Sequence, residues 1–273
     1  LRMSRGLGDV YKRQVSRVIL SFDDGRKDNI DVAEKVLKKY ELNATFNITT
    51  GYVDDTIRES ERPCRNPALT INDVMELNKN ELFEIAGHGQ NHLNDVEDWQ
   101  EGIEKLKQWL GEHWGEQGIG VASPHCGITE QSIMEKSEII KSNNIAYVRI
   151  GLKNQNSVIQ KIVSKLAILT HSNVMFYASI KKSLQVVGTS MCVYSIPVLH
   201  NLTVEQIKYA IMKAETQKLD CVFMFHSIVL SKDQYYSDLW SWDAEKFDEL
   251  CKWLKREQSD KKIQVVTTIE MFK

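Results

Sequence analysis

Two short polar segments of this 273-residue sequence hold residues that can bind a metal ion. Asp23 and Asp24 are adjacent carboxylates that precede Gly25, a residue that permits an immediate turn of the chain. His88 and His92 are four residues apart, so a helical turn would place both imidazoles on one ion. An ordinary Asp-Asp-Gly turn and two exposed histidines are the alternatives for each segment alone. Together they favour a metal site, because one aspartate and two histidines suit a divalent transition ion.

A third histidine, His226, follows the strongly apolar run 221–225. One interpretation is a buried structural histidine whose ring nitrogens are bonded to the backbone. We favour a catalytic role, because His226 and the two metal-binding segments all come directly after a predicted strand. The other histidines without a partner at ligand spacing are interpreted as structural or exposed: His113, His171 and His200.

Short apolar runs alternate with amphipathic stretches from residue 15 onward, which is typical of strands joined by crossover helices around a parallel sheet. Predicted strands occupy 18–22, 44–49, 82–85, 118–122, 146–150, 191–196, 221–225 and 264–267. Predicted helices occupy 30–40, 70–77, 96–110, 133–141, 204–217 and 244–255. Active sites of α/β barrels form at the carboxyl ends of the strands, where all three polar segments fall.

The composition indicates one globular domain over residues 15–273, with 42% hydrophobic and 26% charged residues and only 4 prolines. A formal charge of -2 gives no indication of a broad basic surface for nucleic acid or anionic lipid. The odd number and irregular spacing of the 5 cysteines argue against a disulfide framework. We also expect no membrane span, since no apolar run approaches roughly 20 residues.

Residues 1–14 are basic, contain glycine and have no apolar core, so we interpret them as a non-native or disordered leader and not as an intact secretory signal. As written, the sequence indicates a cytoplasmic protein. If the true N-terminus is missing, a secreted or cell-envelope location is the alternative.

The motifs resemble those of the polysaccharide deacetylase family, the NodB-homology carbohydrate esterases. Residues 21–25, Ser-Phe-Asp-Asp-Gly, resemble the family's Thr-Phe-Asp-Asp-Gly signature, and 82–92 resemble its strand followed by two histidines. Residues 223–226 resemble its late Leu-x-His motif, and 121–127 occupy the place of its arginine–proline–tyrosine segment. The resemblance covers nearly all of 15–273 and implies a distorted, seven-stranded, TIM-like (β/α) barrel.

The resemblance also implies a division of chemical roles. Asp24, His88 and His92 would hold one divalent ion, with zinc the default and cobalt or nickel also suited to the site. Asp23 would act as general base on water, and protonated His226 as general acid. The backbone N–H of His125 would help to stabilise the oxyanion. The predicted substrate contacts are Pro124, Arg149, Trp240 and Trp242; packing against the barrel rim is the alternative for the two tryptophans.

Three departures from the family pattern keep other functions open. Ala122 stands where the family has an arginine that steadies the base, and His125 stands where it has tyrosine. No counterpart is found for the aspartate that orients the acid histidine. We expect hydrolysis of an N- or O-acetyl group on a saccharide. A carbohydrate-binding protein without turnover and an amidohydrolase for a non-sugar C–N bond are the alternatives, and the oligomeric state is undetermined.

Overall fold

The computed structural model describes residues 15–62, 66–153 and 157–272. The predicted leader at 1–14 therefore lies outside the described residues. Within the described part, one α/β body is formed by parallel strands and surrounding helices.

The strands form a nearly closed parallel barrel, which confirms the predicted fold class. In chain order they are β1 (Ser16–Phe22), β2 (Ala44–Ile48), β3 (Phe83–Gly87), β4 (Ile119–Ala122), β5 (Ile145–Ile150), β6 (Cys192–Tyr194), β7 (Ile196–Pro197) and β8 (Cys221–Phe225). Around the barrel the order is β6-β5-β4-β3-β2-β1-β8-β7. Three further strands are β9 (Ser227–Val229), β10 (Ser241–Asp243) and β11 (Ile263–Val265); β11 pairs with β1, and β9 pairs with β10.

The barrel closes through one segment of chain that changes partner. β6 pairs with β5, β7 pairs with β8, and Ser195 alone separates β6 from β7. The Ser195 backbone N–H still donates to the carbonyl oxygen of Ile150, at 2.9 Å. The predicted strand at 191–196 is therefore split in two. This gives eight barrel strands instead of the expected seven, although β6 and β7 together fill a single gap between β5 and β8.

Ten helices of the described chain surround the barrel. They are α1 (Glu34–Tyr40), α2 (Thr50–Val53), α3 (Ile71–Asn78), α4 (Val96–Leu110), α5 (Glu130–Glu135), α6 (Ser137–Ser142), α7 (Val158–Thr170), α8 (Asn173–Ile180), α9 (Val204–Gln217) and α10 (Ala244–Ser259). A π-helical turn, Asn29–Ala33, leads into α1. The predicted helix at 133–141 is broken into α5 and α6 at Lys136, and α7 and α8 were not predicted.

Local sequence signals account for the ends of the best-predicted helices. Thr70 caps α3: its hydroxyl accepts from the Asp73 backbone N–H, and the Asp73 carboxylate accepts from the Thr70 N–H in return. Asp95 caps α4, which ends at Gly111 with a φ of +95°.

Apolar side chains fill both faces of the strands. Phe22 stacks on Phe46 and on Phe225 between barrel and helices, with ring centroids 5.1 and 5.3 Å apart. Inside the barrel, Ile19 and Tyr147 belong to a smaller buried cluster. Parallel strands buried on both faces read as continuous apolar runs, which is why their positions were predictable.

Two structural findings concern the cysteines and the lengths of the helices. Cys192, Cys221 and Cys251 are buried cysteines that form no disulfide bond with the described residues. No helix in the described ranges combines the length and apolar character needed to cross a membrane.

Candidate active site

The predicted catalytic and metal-binding side chains meet at the carboxyl ends of the barrel strands. They line one cavity of about 320 Å³. The residues that line it include Asp23, Asp24, His88, His92, His226 and Trp240. The sequence prediction that three strand ends converge on one site therefore agrees with the geometry.

Three ligand atoms form a nearly equilateral triangle in this cavity. Oδ1 of Asp24 lies 3.5 Å from Nε2 of His88 and 3.3 Å from Nε2 of His92. The two Nε2 atoms are 3.3 Å apart. Ligands about 2.0–2.1 Å from a tetrahedral zinc ion are separated by roughly 3.3–3.4 Å. The triangle therefore has the dimensions of three corners of a tetrahedral site, and all three residues are buried.

Hydrogen bonds prepare these atoms to act as metal ligands. Nδ1 of His88 lies 2.8 Å from the carbonyl oxygen of Ala122, which can only accept. Nδ1 must therefore carry the proton, so that Nε2 presents its lone pair to the cavity. Oδ1 of Asp24 is buried and has no hydrogen-bond partner among the described residues. A buried acceptor without a donor is costly, and a cation at the centre of the triangle would satisfy it.

Arg26 fixes the other oxygen of Asp24. Its Nε and Nη2 donate to Oδ2 at 3.0 and 2.9 Å, and its Nη1 donates to the Ser227 hydroxyl at 2.9 Å. Burial opposes ionisation of Asp24, but the Arg26 guanidinium and the imidazoles of His88 and His92 together outweigh it and hold the pKa of Asp24 well below its usual range. Asp24 therefore stays a carboxylate with one oxygen oriented into the cavity.

The turn after β1 aims Asp24 inward. Asp24 and Gly25 have φ values of +73° and +74°, two successive residues in the left-handed region. Left-handed geometry is costly for a residue with a Cβ atom, and such strain persists where surrounding contacts impose it. The bidentate contact with Arg26 is one such contact.

The segment 88–92 is held from behind by α4. Oδ1 of Asp98 accepts from the Asn91 backbone N–H at 2.7 Å, and its Oδ2 accepts from the Leu93 N–H at 2.9 Å. A Cβ atom on Gly89, whose φ is +79°, would lie 2.2 Å from Oδ2 of Asp98. The glycine between the two histidines thus lets the segment wrap around a buried carboxylate, which sets the spacing of His88 and His92.

Asp23 is clamped on both oxygens. Asn47 of β2 donates to its Oδ1 at 2.9 Å, and Arg149 of β5 donates to its Oδ2 at 2.6 Å. The Arg149 side chain is 1% exposed, and its Nη1 also donates to the Ser195 hydroxyl at 2.8 Å. Ala122 is the register partner of Arg149 on the neighbouring strand. A guanidinium thus reaches Asp23 from β5, one strand away from the position where the family pattern has its arginine.

His226 faces Asp23 across the cavity. Its Nε2 lies 4.0 Å from Oδ2 of Asp23, and Asn29 holds its backbone carbonyl oxygen at 2.7 Å. Nδ1 of His226 is buried without a partner among the described residues, in keeping with the missing acid-orienting aspartate. Burial lowers the pKa of His226 to about 4, so the free imidazole is neutral at pH 7.

The remaining predicted residues divide between the cavity and the core. The Trp240 ring packs beside His226, with centroids 4.5 Å apart, and the His125 ring is 4.4 Å from that of His92. Pro124 is buried in the short 3-10 helix that carries His125. Trp242 is 1% exposed and its indole N–H donates to the carbonyl oxygen of Leu202, so it has no face free for a ligand. The predicted substrate contact for Trp242 is therefore corrected to a core role.

Sequence reasoning missed the residues that hold the site from behind. They are Arg26, Asn47, Asp98 and Ser195. A signal for Asn47 was present, because an asparagine at the fourth position of an otherwise strand-like run needs a buried partner. Arg26 directly follows the Asp-Asp-Gly turn and carried a similar signal.

A family model described as polysaccharide deacetylase matches residues 11–139. The matched range contains the three metal-binding candidates and Asp23, and it ends before Arg149 and His226. A search of curated proteins finds no match.

Solved structures are similar to the whole described fold or to part of it. The Bc1960 peptidoglycan N-acetylglucosamine deacetylase is 14% identical with a TM-score of 0.50, over 95% of this chain and 89% of that chain. The Streptococcus pyogenes deacetylase PplD is 21% identical with a TM-score of 0.39; the match covers 49% of this chain and spans only 55% of PplD. A Bacillus anthracis protein described as a CE4 family pseudoenzyme is 10% identical with a TM-score of 0.39, over 85% and 70% of the two chains. The first of these supports the barrel fold.

Proposed function

We propose that this protein is a metal-dependent deacetylase that hydrolyses an acetyl group on a carbohydrate, a proposal supported by the match of residues 11–139 to the polysaccharide deacetylase family model. The observation that carries the proposal is a single cavity shared by two sets of groups. The Asp24–His88–His92 triangle lines it, and so do the proposed base and acid, Asp23 and His226. A protein that only binds a ligand has no need for a base and an acid in the same cavity as a metal site.

The residues present fit a divalent transition metal. Two imidazoles and one carboxylate at these separations suit zinc, and cobalt or nickel accept the same donors. When bound, such an ion supplies a Lewis acid that polarises a carbonyl and acidifies water.

Asp23 serves as the general base. Its Oδ2 lies in the cavity at 4.0 Å from Nε2 of His226, and Arg149 and Asn47 fix the orientation of the carboxylate. Asp23 takes a proton from water as the water oxygen bonds to the acetyl carbonyl carbon. We assign Arg149 the part of positioning this base in place of the predicted contact with substrate.

His226 completes the proton transfer. Because the imidazole is neutral in the free site, Nε2 can accept the proton that Asp23 has taken up. Nε2 then delivers that proton to the leaving nitrogen or oxygen as its bond to the acetyl carbon breaks, which releases acetate. His125 lines the same cavity beside His92, and we assign its backbone N–H the stabilisation of the developing oxyanion.

One reason for a binding-only function is weakened by the geometry. The family arginine is replaced by Ala122, but Arg149 brings a guanidinium to the same carboxylate at 2.6 Å. The other reason, the lack of an aspartate that orients the acid histidine, stands, because Nδ1 of His226 has no partner among the described residues. Loss of turnover with retained metal therefore remains the second candidate.

The test combines metal content with acetate release. The purified chain and three variants are measured: His88→Ala, Asp23→Asn and, as matched control, His113→Ala. His113 is exposed and bonded to Glu116, outside the cavity. We expect a single ion per chain, its loss with His88→Ala, and its retention with Asp23→Asn. Acetate release from acetylated chito-oligosaccharides or xylan should fall by about 10²–10⁴-fold in Asp23→Asn and stay unchanged in His113→Ala.

Two results would contradict the proposal. Absence of metal in the wild type, after incubation with zinc, cobalt or nickel, would show that the triangle is not a metal site. Bound metal without acetate from any acetylated saccharide would favour the binding-only protein or an amidohydrolase for a non-sugar substrate.

A further inference from the structure

α7 presents large apolar side chains to solvent. Six of the fourteen exposed large hydrophobic residues among the described ranges fall within 158–174, a segment of seventeen residues. Five of them are on α7: Val158 (71% exposed), Ile159 (75%), Ile162 (53%), Leu166 (40%) and Leu169 (77%). Scattered exposed apolar residues are ordinary, but a cluster on one helix indicates an interaction surface.

The five side chains form one continuous face. At about 100° per residue, they fall within an arc of roughly 100° on the helical wheel. Ala167, which is fully buried, lies on the opposite side, and its carbonyl oxygen accepts from the Gln206 side chain of α9 at 3.0 Å. Lys161 and Lys165 border the apolar arc on one edge, and both are exposed. We call this surface, formed by the five apolar residues and two lysines, the α7 face.

The α7 face belongs to a segment without acidic residues. Residues 139–204 contain none of the 37 Asp and Glu residues of the chain and seven of its 35 Lys and Arg residues. Arg149 is buried against Asp23, whereas Lys161, Lys165, Lys181 and Lys182 are exposed and make no ion pair with the described residues. The near-neutral total charge thus conceals a local excess of positive charge next to an apolar face.

We propose that the α7 face docks on the surface of a lipid bilayer that contains anionic headgroups. An exposed apolar arc bordered by lysines is the pattern of helices that lie in the membrane interface, with apolar side chains at the acyl boundary and ammonium groups near phosphate. Nucleic acid would leave the apolar arc without a partner. A symmetric dimer through this face would bring the lysines of two copies together, with no acidic residue of the segment to pair them.

The buried side of α7 lies close to the candidate active site. An apolar cavity of about 140 Å³ between the α7–α8 pair and the barrel is lined by Leu152 and Pro197. Both residues also line the candidate active site. The helix that would anchor the protein to the bilayer therefore packs, through its buried side, next to the wall of the candidate active site.

The test is flotation of the full chain with large unilamellar vesicles. One set is pure phosphatidylcholine and the other contains about 30% phosphatidylglycerol, a mixture that gives a negative surface potential. We expect flotation with the anionic vesicles that weakens in high salt. The Ile159→Gln/Leu169→Gln double variant removes the two most exposed apolar groups, and its binding should fall roughly tenfold or more. Lys161→Gln should lower binding to anionic vesicles by about fivefold.

Control variants separate docking from folding. Met134→Gln changes an exposed apolar residue outside the α7 face, on α5, where it is 62% exposed, and should float like wild type. Circular dichroism and thermal melting should be unchanged in all variants, because the altered side chains make few packing contacts.

Wild type that floats with neither kind of vesicle, or a double variant that floats as well as wild type, would overturn the proposal. A dimer seen by light scattering that Ile159→Gln/Leu169→Gln makes monomeric would assign the face to a second copy instead. Neither result depends on metal binding or acetate release.

Discussion

Glu84 and Asp24 are buried carboxylates at opposite ends of the same barrel. At the amino ends of the strands, Glu84 is fully bonded: Tyr147 donates to its Oε1 at 2.6 Å, and Thr45 and the Ile269 N–H donate to its Oε2 at 2.8 and 3.0 Å. At the carboxyl ends, Asp24 has one oxygen held by Arg26, and its other oxygen faces the two histidines with no hydrogen-bond partner among the described residues. A buried carboxylate thus has hydrogen bonds to both oxygens at the amino end of the barrel and to one oxygen at the carboxyl end.

Cavity size does not distinguish the two ends. The amino end opens on a cavity of about 510 Å³, which is larger than the 320 Å³ of the carboxyl end. Among the described residues, only the carboxyl end brings three ligand atoms within reach of one ion. Unpaired buried atoms that converge on a cavity locate the chemistry better than the volume does. The closed network at Glu84 is then a structural feature.

The largest effect should come from breaking the clamp on Asp23. Arg149→Met would leave a buried carboxylate without its cation, at an expected cost of about 3–5 kcal/mol in the free energy of unfolding. Acetate release should fall by roughly a hundredfold even at temperatures where the variant stays folded, because Asp23 loses its fixed orientation. Urea denaturation and steady-state kinetics measure the two effects.

Arg149→Lys separates positioning from charge. The ammonium keeps the positive charge but lacks the forked donors that reach both Asp23 and Ser195. We expect most of the stability to return and only part of the turnover. Equal recovery of both quantities would show that Arg149 acts on the fold alone.

A second comparison uses the metal as a stabilising ligand. An ion that binds only the folded state adds about 2.7 kcal/mol to the free energy of unfolding when its concentration is 100 times the dissociation constant. The melting temperature of wild type should therefore rise by several degrees when zinc is added. Glu84→Gln should show the same rise, and His88→Ala should show none. A rise that survives in His88→Ala would place the ion elsewhere.

The carboxyl end was predictable from sequence to the extent that its residues follow strands. Asp24, His88 and His226 each lie within two residues of a strand end, His92 follows in the same loop as His88, and the barrel brings such positions together. α4, α9 and β8 were predicted with the observed bounds, because their periodicity and caps are clear.

The supporting contacts were not predictable, because they join residues that are far apart in the chain. Arg149 reaches Asp23 across 126 positions, and the pairing depends on the register of β4 with β5. Trp242 looked like its neighbour Trp240, and only the packing of β10 shows that its ring faces inward. The α7–α8 pair was missed since apolar residues lie on both its buried and its exposed sides, which obscures the helical period.

The smallest effect is expected at the closed end. Glu84→Gln puts an amide NH₂ group where a carboxylate oxygen accepts hydrogen bonds from Tyr147, Thr45 and the Ile269 N–H. The substitution should cost about 1–3 kcal/mol in the free energy of unfolding and leave acetate release unchanged.

Burial raises the pKa of Glu84 above its ordinary value of 4.5, so the folded chain keeps a proton that the unfolded chain loses first. The contribution of Glu84 to stability is therefore fully present below pH 4.5 and declines as pH rises through the raised pKa. The advantage of wild type over Glu84→Gln in urea denaturation should shrink from pH 4.5 to pH 7. An advantage that grows with pH, or a loss of turnover in Glu84→Gln, would mean that the two ends are not separate in function.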